Sequence, residues 1–312
     1  MKYIIPILLS FFLLSCAAKK KAITTAETTS QEVSKQIENS LLWRISGKDL
    51  KEPSYLYGTI HLISKDDYFL TDPTKVAFEE AQRIVFEINM EDMSDMSIVF
   101  SLMGKIMMNN GTTLKDLLNE EDYALVEKKF QSMGLPLAFL GKIKPMFLST
   151  FASGDMSAGG LSNGKMVSYE MEFLTLAQEA KKEVDGLETI EFQLSMFDSI
   201  PYEAQAQMLV DAIKNTDTGN DQFKDMVELY KKQDLSGMQD MFASEEGGLG
   251  NYEDLLLAGR NRNWIPIMAK MMTEKKTFFA VGAGHLGGDV GVVSLLRKEG
   301  YKVEPIKKLK KQ

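Results

Sequence analysis

Two apolar runs far apart in the chain end in the same way. Ser54-Tyr-Leu-Tyr-Gly-Thr-Ile60 and Thr277-Phe-Phe-Ala-Val281 are rich in aromatic and β-branched residues and read as strands. Each passes into a Gly-x-x-His step, Gly58-Thr-Ile-His61 and Gly282-Ala-Gly-His285, and these are the only two histidines present. After the first, Thr71-Asp72-Pro73 opens a helix to about Gln82, because Thr or Asp can cap and Pro suits the first turn. Arg83-Ile-Val-Phe-Glu-Ile-Asn89 then reads as a strand, so strand, helix and strand follow one another with room for a parallel crossover. After the second, the glycine-rich turn 282–288 leads to a helix over 289–298 ended by Gly300, and Tyr301-Lys-Val-Glu304 is a last strand. These elements predict an α/β (α+β) fold: a mixed β-sheet built from the N- and C-terminal segments.

Between them, residues 90–260 are mostly helical, with Met- and Leu-rich stretches at spacings of three and four broken by signals such as Gly134-Leu-Pro136 and Gly154. The Met stripes are core filling. One α-to-β step interrupts this helical insertion, a helix over 169–182 followed by a strand-like Glu183-Val-Asp-Gly-Leu-Glu188. Residues 247–250 are glycine-dense and read as a loop.

The ends of the chain differ from its body. Residues 1–15 carry one Lys and then an apolar run from Tyr3 to Leu14, the layout of a secretory signal and too short to span a bilayer stably. Leu13-Leu14-Ser15-Cys16 resembles the lipobox of bacterial lipoproteins, and Cys16, the sole cysteine, has no partner for a disulfide within the chain. The expectation is a lipid anchor at Cys16, a flexible tether over 16–40, one domain over 41–306 and a basic tail over 307–312, the whole held at the cell envelope, facing periplasm or exterior. A net charge of −8 offers no positive field for phosphates, so nucleic acid is not an expected partner.

The chemistry-bearing residues lie at predicted strand ends, where α/β sheets bind ligands. A glycine there lets the backbone bend or approach a ligand, which gives Gly58 and Gly282 their expected supporting place. Two neutral imidazoles, His61 and His285, need a third ligand to hold a catalytic divalent metal, usually a carboxylate, with one position left for water. Glu87 is the candidate, because a carboxylate in the apolar run 84–88 is costly to bury unless paired or metal-bound. Glu188 has a similar strand-end placement. A rival is a dinucleotide fingerprint, since Gly282-Ala-Gly284-His-Leu-Gly287 satisfies G-x-G-x-x-G and Glu304 lies about 20 residues on. That nucleotide-binding oxidoreductase leaves His61 unexplained. No G-x-S-x-G elbow is present.

At these residues the chain resembles the TraB/GumN family. Tyr55-Leu-Tyr-Gly-Thr-Ile-His-Leu62, Val85-Phe-Glu87, Gly186-Leu-Glu-Thr-Ile-Glu-Phe-Gln193, Gly259-Arg-Asn-Arg262 and Val281-Gly-Ala-Gly-His-Leu-Gly287 are similar to that family's landmarks in the family's order. The two G-x-x-H motifs are also the hallmark of the Tiki proteases, regarded as metal-dependent enzymes. The resemblance implies His61, Glu87 and His285 at a divalent metal (Mn, Co or Zn), Glu188 beside it as a catalytic group, and Arg260 and Asn261 as further catalytic residues. Glu170 stands where family members often carry Asp, one methylene shorter. The implied activity is hydrolysis of a peptide or related amide or ester bond, the substrate being a peptide or protein. The alternative is a non-catalytic envelope lipoprotein that keeps the same residues as a ligand pocket.

Overall fold

The computed structural model describes residues 38–152, 165–243 and 252–307. The expected signal segment, Cys16, most of the expected tether, the glycine-dense segment 247–250 and the tail beyond Lys307 lie outside the described residues.

Six strands form the main sheet: β1 (Leu42–Ser46), β2 (Ser54–Thr59), β4 (Arg83–Ile88), β6 (Glu183–Glu188), β7 (Thr277–Gly282) and β8 (Lys302–Pro305). They lie in the order β6-β4-β7-β2-β1-β8. β6, β4, β7 and β2 are mutually parallel, and β1 runs antiparallel to both β2 and β8. The sheet is therefore mixed and joins the two ends of the chain, as the sequence predicts. β2 and β7 are buried along their length, which is why both read as unbroken apolar runs. A second, two-stranded sheet pairs β3 (Ile63–Ser64) with β5 (Met166–Val167).

Local capping sets where the helices begin. Thr71 caps the helix Asp72–Glu80 by accepting from the Thr74 amide, with Pro73 in the first turn. Ser168 caps Tyr169–Glu179 in the same way, and that helix stops before its expected end because Lys181 turns into the left-handed region at φ 52°. The last helix starts at Val292 rather than 289, since residues 283–291 are spent on a short turn and a glycine-rich loop.

β1 is a strand the sequence did not announce. It sits between β2 and β8, so β8 lies three places from β7. This corrects the dinucleotide reading: Glu304, on β8, cannot serve the turn after β7 as the acidic partner of a phosphate-binding fingerprint.

The main core packs on the sheet and includes Trp43, Tyr57, Phe86, Tyr169, Phe173, Tyr230, Trp264, Phe278 and Phe279. The helical insertion carries a separate core of its own around Leu114, Val126, Phe130, Leu148, Leu209 and Val210. Among the described residues no helix is long and apolar enough to cross a membrane.

Candidate functional site at the carboxyl edge of the sheet

Because β2, β4, β6 and β7 are parallel, their carboxyl ends share one edge. His61 follows β2, Glu87 is the penultimate residue of β4, Glu188 ends β6 and His285 closes the turn after β7. A fifth element reaches them from the side. The helix Gly259–Glu274, entered through a π-helical turn at Asp254–Ala258, carries Arg260, Asn261 and Trp264 on its first turns.

Glu87 is not on a solvent face. β4 is interior to the sheet and the Glu87 side chain is 13% exposed. Its Oε1 accepts from the Gly282 amide at 2.8 Å, and its Oε2 accepts from Arg260 Nη2 at 2.5 Å and Gln193 Nε2 at 3.2 Å. Burial alone would raise this carboxyl. The opposing charges of His285, Arg260 and His61 and the Gly282 amide outweigh it and take the pKa down to about 2.

The two glycines have distinct steric reasons. A Cβ on Gly282 would stand 3.2 Å from Glu87 Oε1, so the bare backbone is what admits the carboxylate. A Cβ on Gly58 would meet Leu286 Cδ2 at 2.9 Å and Ala283 at 3.1 Å, so Gly58 lets the end of β2 pack against the second Gly-x-x-His turn. Tyr230 secures the same place by donating to the Gly58 carbonyl at 2.9 Å.

His285 is held through both ring nitrogens. Asn261 donates from Nδ2 to the Val290 and His285 carbonyls, which turns its Oδ1 to His285 Nδ1 at 2.6 Å. Nδ1 therefore carries the proton and Nε2 presents a lone pair, which accepts from Arg260 Nη1 at 3.1 Å. Burial lowers the imidazole pKa to about 4, with Arg260 and His61 adding to the effect against Glu87, so the ring is neutral at pH 7. Trp264 packs against it, ring centroids 4.4 Å apart.

His61 is the open side of the site, its side chain 77% exposed. Its Nδ1 lies 3.2 Å from Glu170 Oε1. Glu170 is placed by the β3–β5 pairing, which clips the chain after His61 to the segment leading into Ser168, and is held by Thr59 at 2.7 Å and Ser168 at 3.0 Å. The bond to Glu170 raises the His61 pKa to about 9. One methylene longer than the expected Asp, Glu170 still reaches the imidazole.

Glu188 is fully engaged. Oε1 accepts from Arg260 Nε at 2.9 Å and Gln193 at 2.8 Å, and also takes Arg260 Nη2; Oε2 accepts from Trp264 Nε1 at 2.9 Å. In this arrangement the carboxylate holds Arg260. Gln193 and Trp264 are functional neighbours the sequence left unassigned, although Gln193 closes one quoted landmark and Trp264 lies one helical turn from Arg260.

A family model described as the TraB/PrgY/gumN family matches residues 41–305. The chain belongs to that family. Curated relatives include the Metalloprotease TIKI1 of Danio rerio, 24% identical over 320 residues, which are 85% of this chain and 63% of that protein. The Metalloprotease TIKI1 of Homo sapiens is 23% identical over 323 residues, 85% of this chain and 62% of its own length. Metalloprotease TIKI2 of Danio rerio is 23% identical over 338 residues, 90% and 64% respectively. The chain thus spans less than two thirds of these relatives. No solved structure matches it.

The donor types suit a divalent cation. Each histidine fixes Nδ1 to an oxygen, Glu170 or Asn261, which is how metal-binding imidazoles are usually oriented through their other nitrogen. Among the described residues no three His, Cys, Asp or Glu side chains already converge as a ligand cluster, and the guanidinium of Arg260 lies between Glu87 and His285.

Proposed function

We propose that this chain is a metal-dependent hydrolase of peptide bonds. The observation that carries the reading is the pair of imidazoles that follow the neighbouring strands β2 and β7, each tethered through Nδ1 to an oxygen, with the buried Glu87 carboxylate on β4, the next strand beyond β7. His61, His285 and Glu87 are the residues that would hold the ion, with Mn, Co and Zn the candidates for their nitrogen and oxygen donors. A divalent ion supplies Lewis acidity towards a carbonyl oxygen and acidifies water.

The protein's own residues do the rest. Asn261 and Glu170 set the two ring orientations, and the exposed His61 leaves the site open for an extended chain to enter. Glu188 and Trp264 hold Arg260 beside Glu87 and His285, where its charge would oppose the negative charge that develops on a carbonyl oxygen during attack. Exposed Met171, next to Glu170, and exposed Phe192, next to Gln193, offer apolar contact to peptide side chains at this edge. A cell-envelope setting through acylated Cys16 is part of the proposal.

The full-length protein, stripped with chelator and reloaded with Mn, Co or Zn, should bind metal and cleave members of an unstructured peptide library. His61→Ala and His285→Ala should each lose metal with an unchanged far-UV spectrum, and Cys16→Ala should leave the membrane fraction. Metal binding without turnover would support the non-catalytic binding protein instead. A chain that takes up no metal would sink the hydrolase reading.

A further inference from the structure

The acceptors expected to bind an ion are the acceptors Arg260 uses. Its guanidinium takes Glu87 Oε2 at 2.5 Å through Nη2 and His285 Nε2 at 3.1 Å through Nη1, while Nε stays on Glu188 at 2.9 Å. Nη1 also donates to Leu256 O on its own helix at 3.0 Å, and the guanidinium carbon lies 4.9 Å from the Trp264 ring centroid. Arg260 is only 8% exposed, so this charge is part of the interior and not a passing surface contact.

A nitrogen lone pair serves one partner. His285 Nε2 cannot donate to a metal at about 2.0–2.1 Å while it accepts a hydrogen bond from Nη1. The same competition holds for Glu87 Oε2, whose other oxygen is already turned to the Gly282 amide. Like charge adds to this, because a fixed guanidinium this near a dication opposes its entry.

We propose that Arg260 is a built-in counter-cation whose Nη1 and Nη2 exchange with the divalent ion at His285 and Glu87, pivoting about the Nε bond to Glu188. This rests on the reading of His285 and Glu87 as ligands. With Arg260 seated, Glu87 and Glu188 share its one positive charge and the site holds together without an ion. With the ion seated, the displaced fork stays tethered beside it and turns to the mouth, where an oxyanion would form. Metal occupancy is then an exchange of cations and not the filling of an open socket, so Arg260 lowers the apparent affinity for the ion and sets the ion level at which the enzyme switches on.

The test compares full-length wild type, Arg260→Ala and Arg260→Lys after chelation, with Mn2+ as the probe. Titration calorimetry reads affinity, and thermal melting reads stability with and without Mn2+. Arg260→Ala should bind Mn2+ at least about tenfold more tightly than wild type, since a nearby positive charge is gone. It should also melt lower than wild type after chelation and gain more on Mn2+ addition. Methylguanidinium should weaken Mn2+ binding to Arg260→Ala and leave wild type unaffected. Should Arg260→Ala not fold without metal, Arg260→Lys carries the test: it cannot span both acceptors and should bind Mn2+ more tightly than wild type by a smaller factor. Equal or weaker Mn2+ binding in the folded variants, beside binding by wild type, overturns the exchange and leaves the hydrolase reading standing. No Mn2+ binding by any of the three chains overturns that reading itself.

Discussion

Gly58→Ala asks whether the two Gly-x-x-His steps are coupled through packing. The added Cβ would lie 2.9 Å from Leu286 Cδ2, 3.1 Å from Ala283 Cα and 3.1 Å from Ala283 Cβ, where ordinary contact starts at 3.4 Å. The leucine methyl can turn away, but Ala283 Cα is backbone, and β2 is locked in register with β7 with Gly58 opposite Val281. Relief therefore has to come from the turn Ala283–His285 moving outward by a few tenths of an ångström. Overpacking of this kind costs about 1–3 kcal/mol. A value near 2 kcal/mol would lower Tm by roughly 4–8 °C for a domain of this size. Gly104→Ala is the control, because nothing lies within 4 Å of its Cβ and its φ is not left-handed. The assay is thermal and urea unfolding of the three proteins, with metal uptake beside it: Gly58→Ala should also take up metal more weakly, since His285 rides on the displaced turn. A Gly58→Ala protein that melts with the Gly104→Ala control would show that the close approach of the two steps does not limit the fold, and the steric account of the first glycine would fail.

Stability should depend on pH through three site residues. The pKa of Glu87 is depressed from 4.5 to about 2, so its contribution is present above 4.5 and lost as pH falls through 2; that of His285 is depressed from 6.5 to about 4, so folding is favoured above 6.5 and weakened as pH falls towards 4. His61 is raised from 6.5 to about 9, so its contribution is complete below 6.5 and lost as pH rises through 9, a small limb because the ring is exposed. Melting temperature against pH should peak near neutrality, and His285→Gln should flatten the rise between 4 and 6.5; superimposable profiles would refute the buried neutral imidazole. Glu188→Gln removes one of the two carboxylates on Arg260 while Glu87 still pairs it, so a loss of about 1–3 kcal/mol in urea unfolding is expected, at or under the low end of the range for an abandoned buried charge. A loss within about 0.5 kcal/mol, the level of an ordinary surface change, would mean that Glu188 does not hold Arg260.

Much of this edge was legible because burial leaves a mark on composition. β2 and β7 have apolar neighbours on both faces and so read as continuous hydrophobic runs, and one charged residue inside β4 stood out for the same reason. β1 left a weaker mark. Leu42–Ser46 holds an exposed Arg44, and its turn into β2 uses left-handed Gly47, Lys48 and Asp49, of which Lys48 is a residue type that does not advertise that conformation. The glycines were recognised at the correct positions with an incomplete cause: proximity to a ligand was expected, whereas Gly58 makes room for Ala283 and Gly282 for a carboxylate of the protein itself.

What sequence could not carry is convergence. Trp264 meets Glu188 across 76 positions and Gln193 meets Glu87 across 106, and no local period encodes such pairs. Arg260 and Asn261 show the limit most sharply. As neighbours on a helix they point about 100° apart, which on a sequence looks like two independent polar residues. In the fold, the ring of His285 stands between them, so Asn261 takes Nδ1 and Arg260 takes Nε2 of one imidazole. The angle that separates their side chains is what lets consecutive residues hold opposite edges of the same ring. One of those contacts fixes the tautomer; the other occupies the lone pair that the first makes available. A helix placed a single residue out of register would lose both together, which ties the orientation of His285 to the entry of Gly259–Glu274 through its π-helical turn.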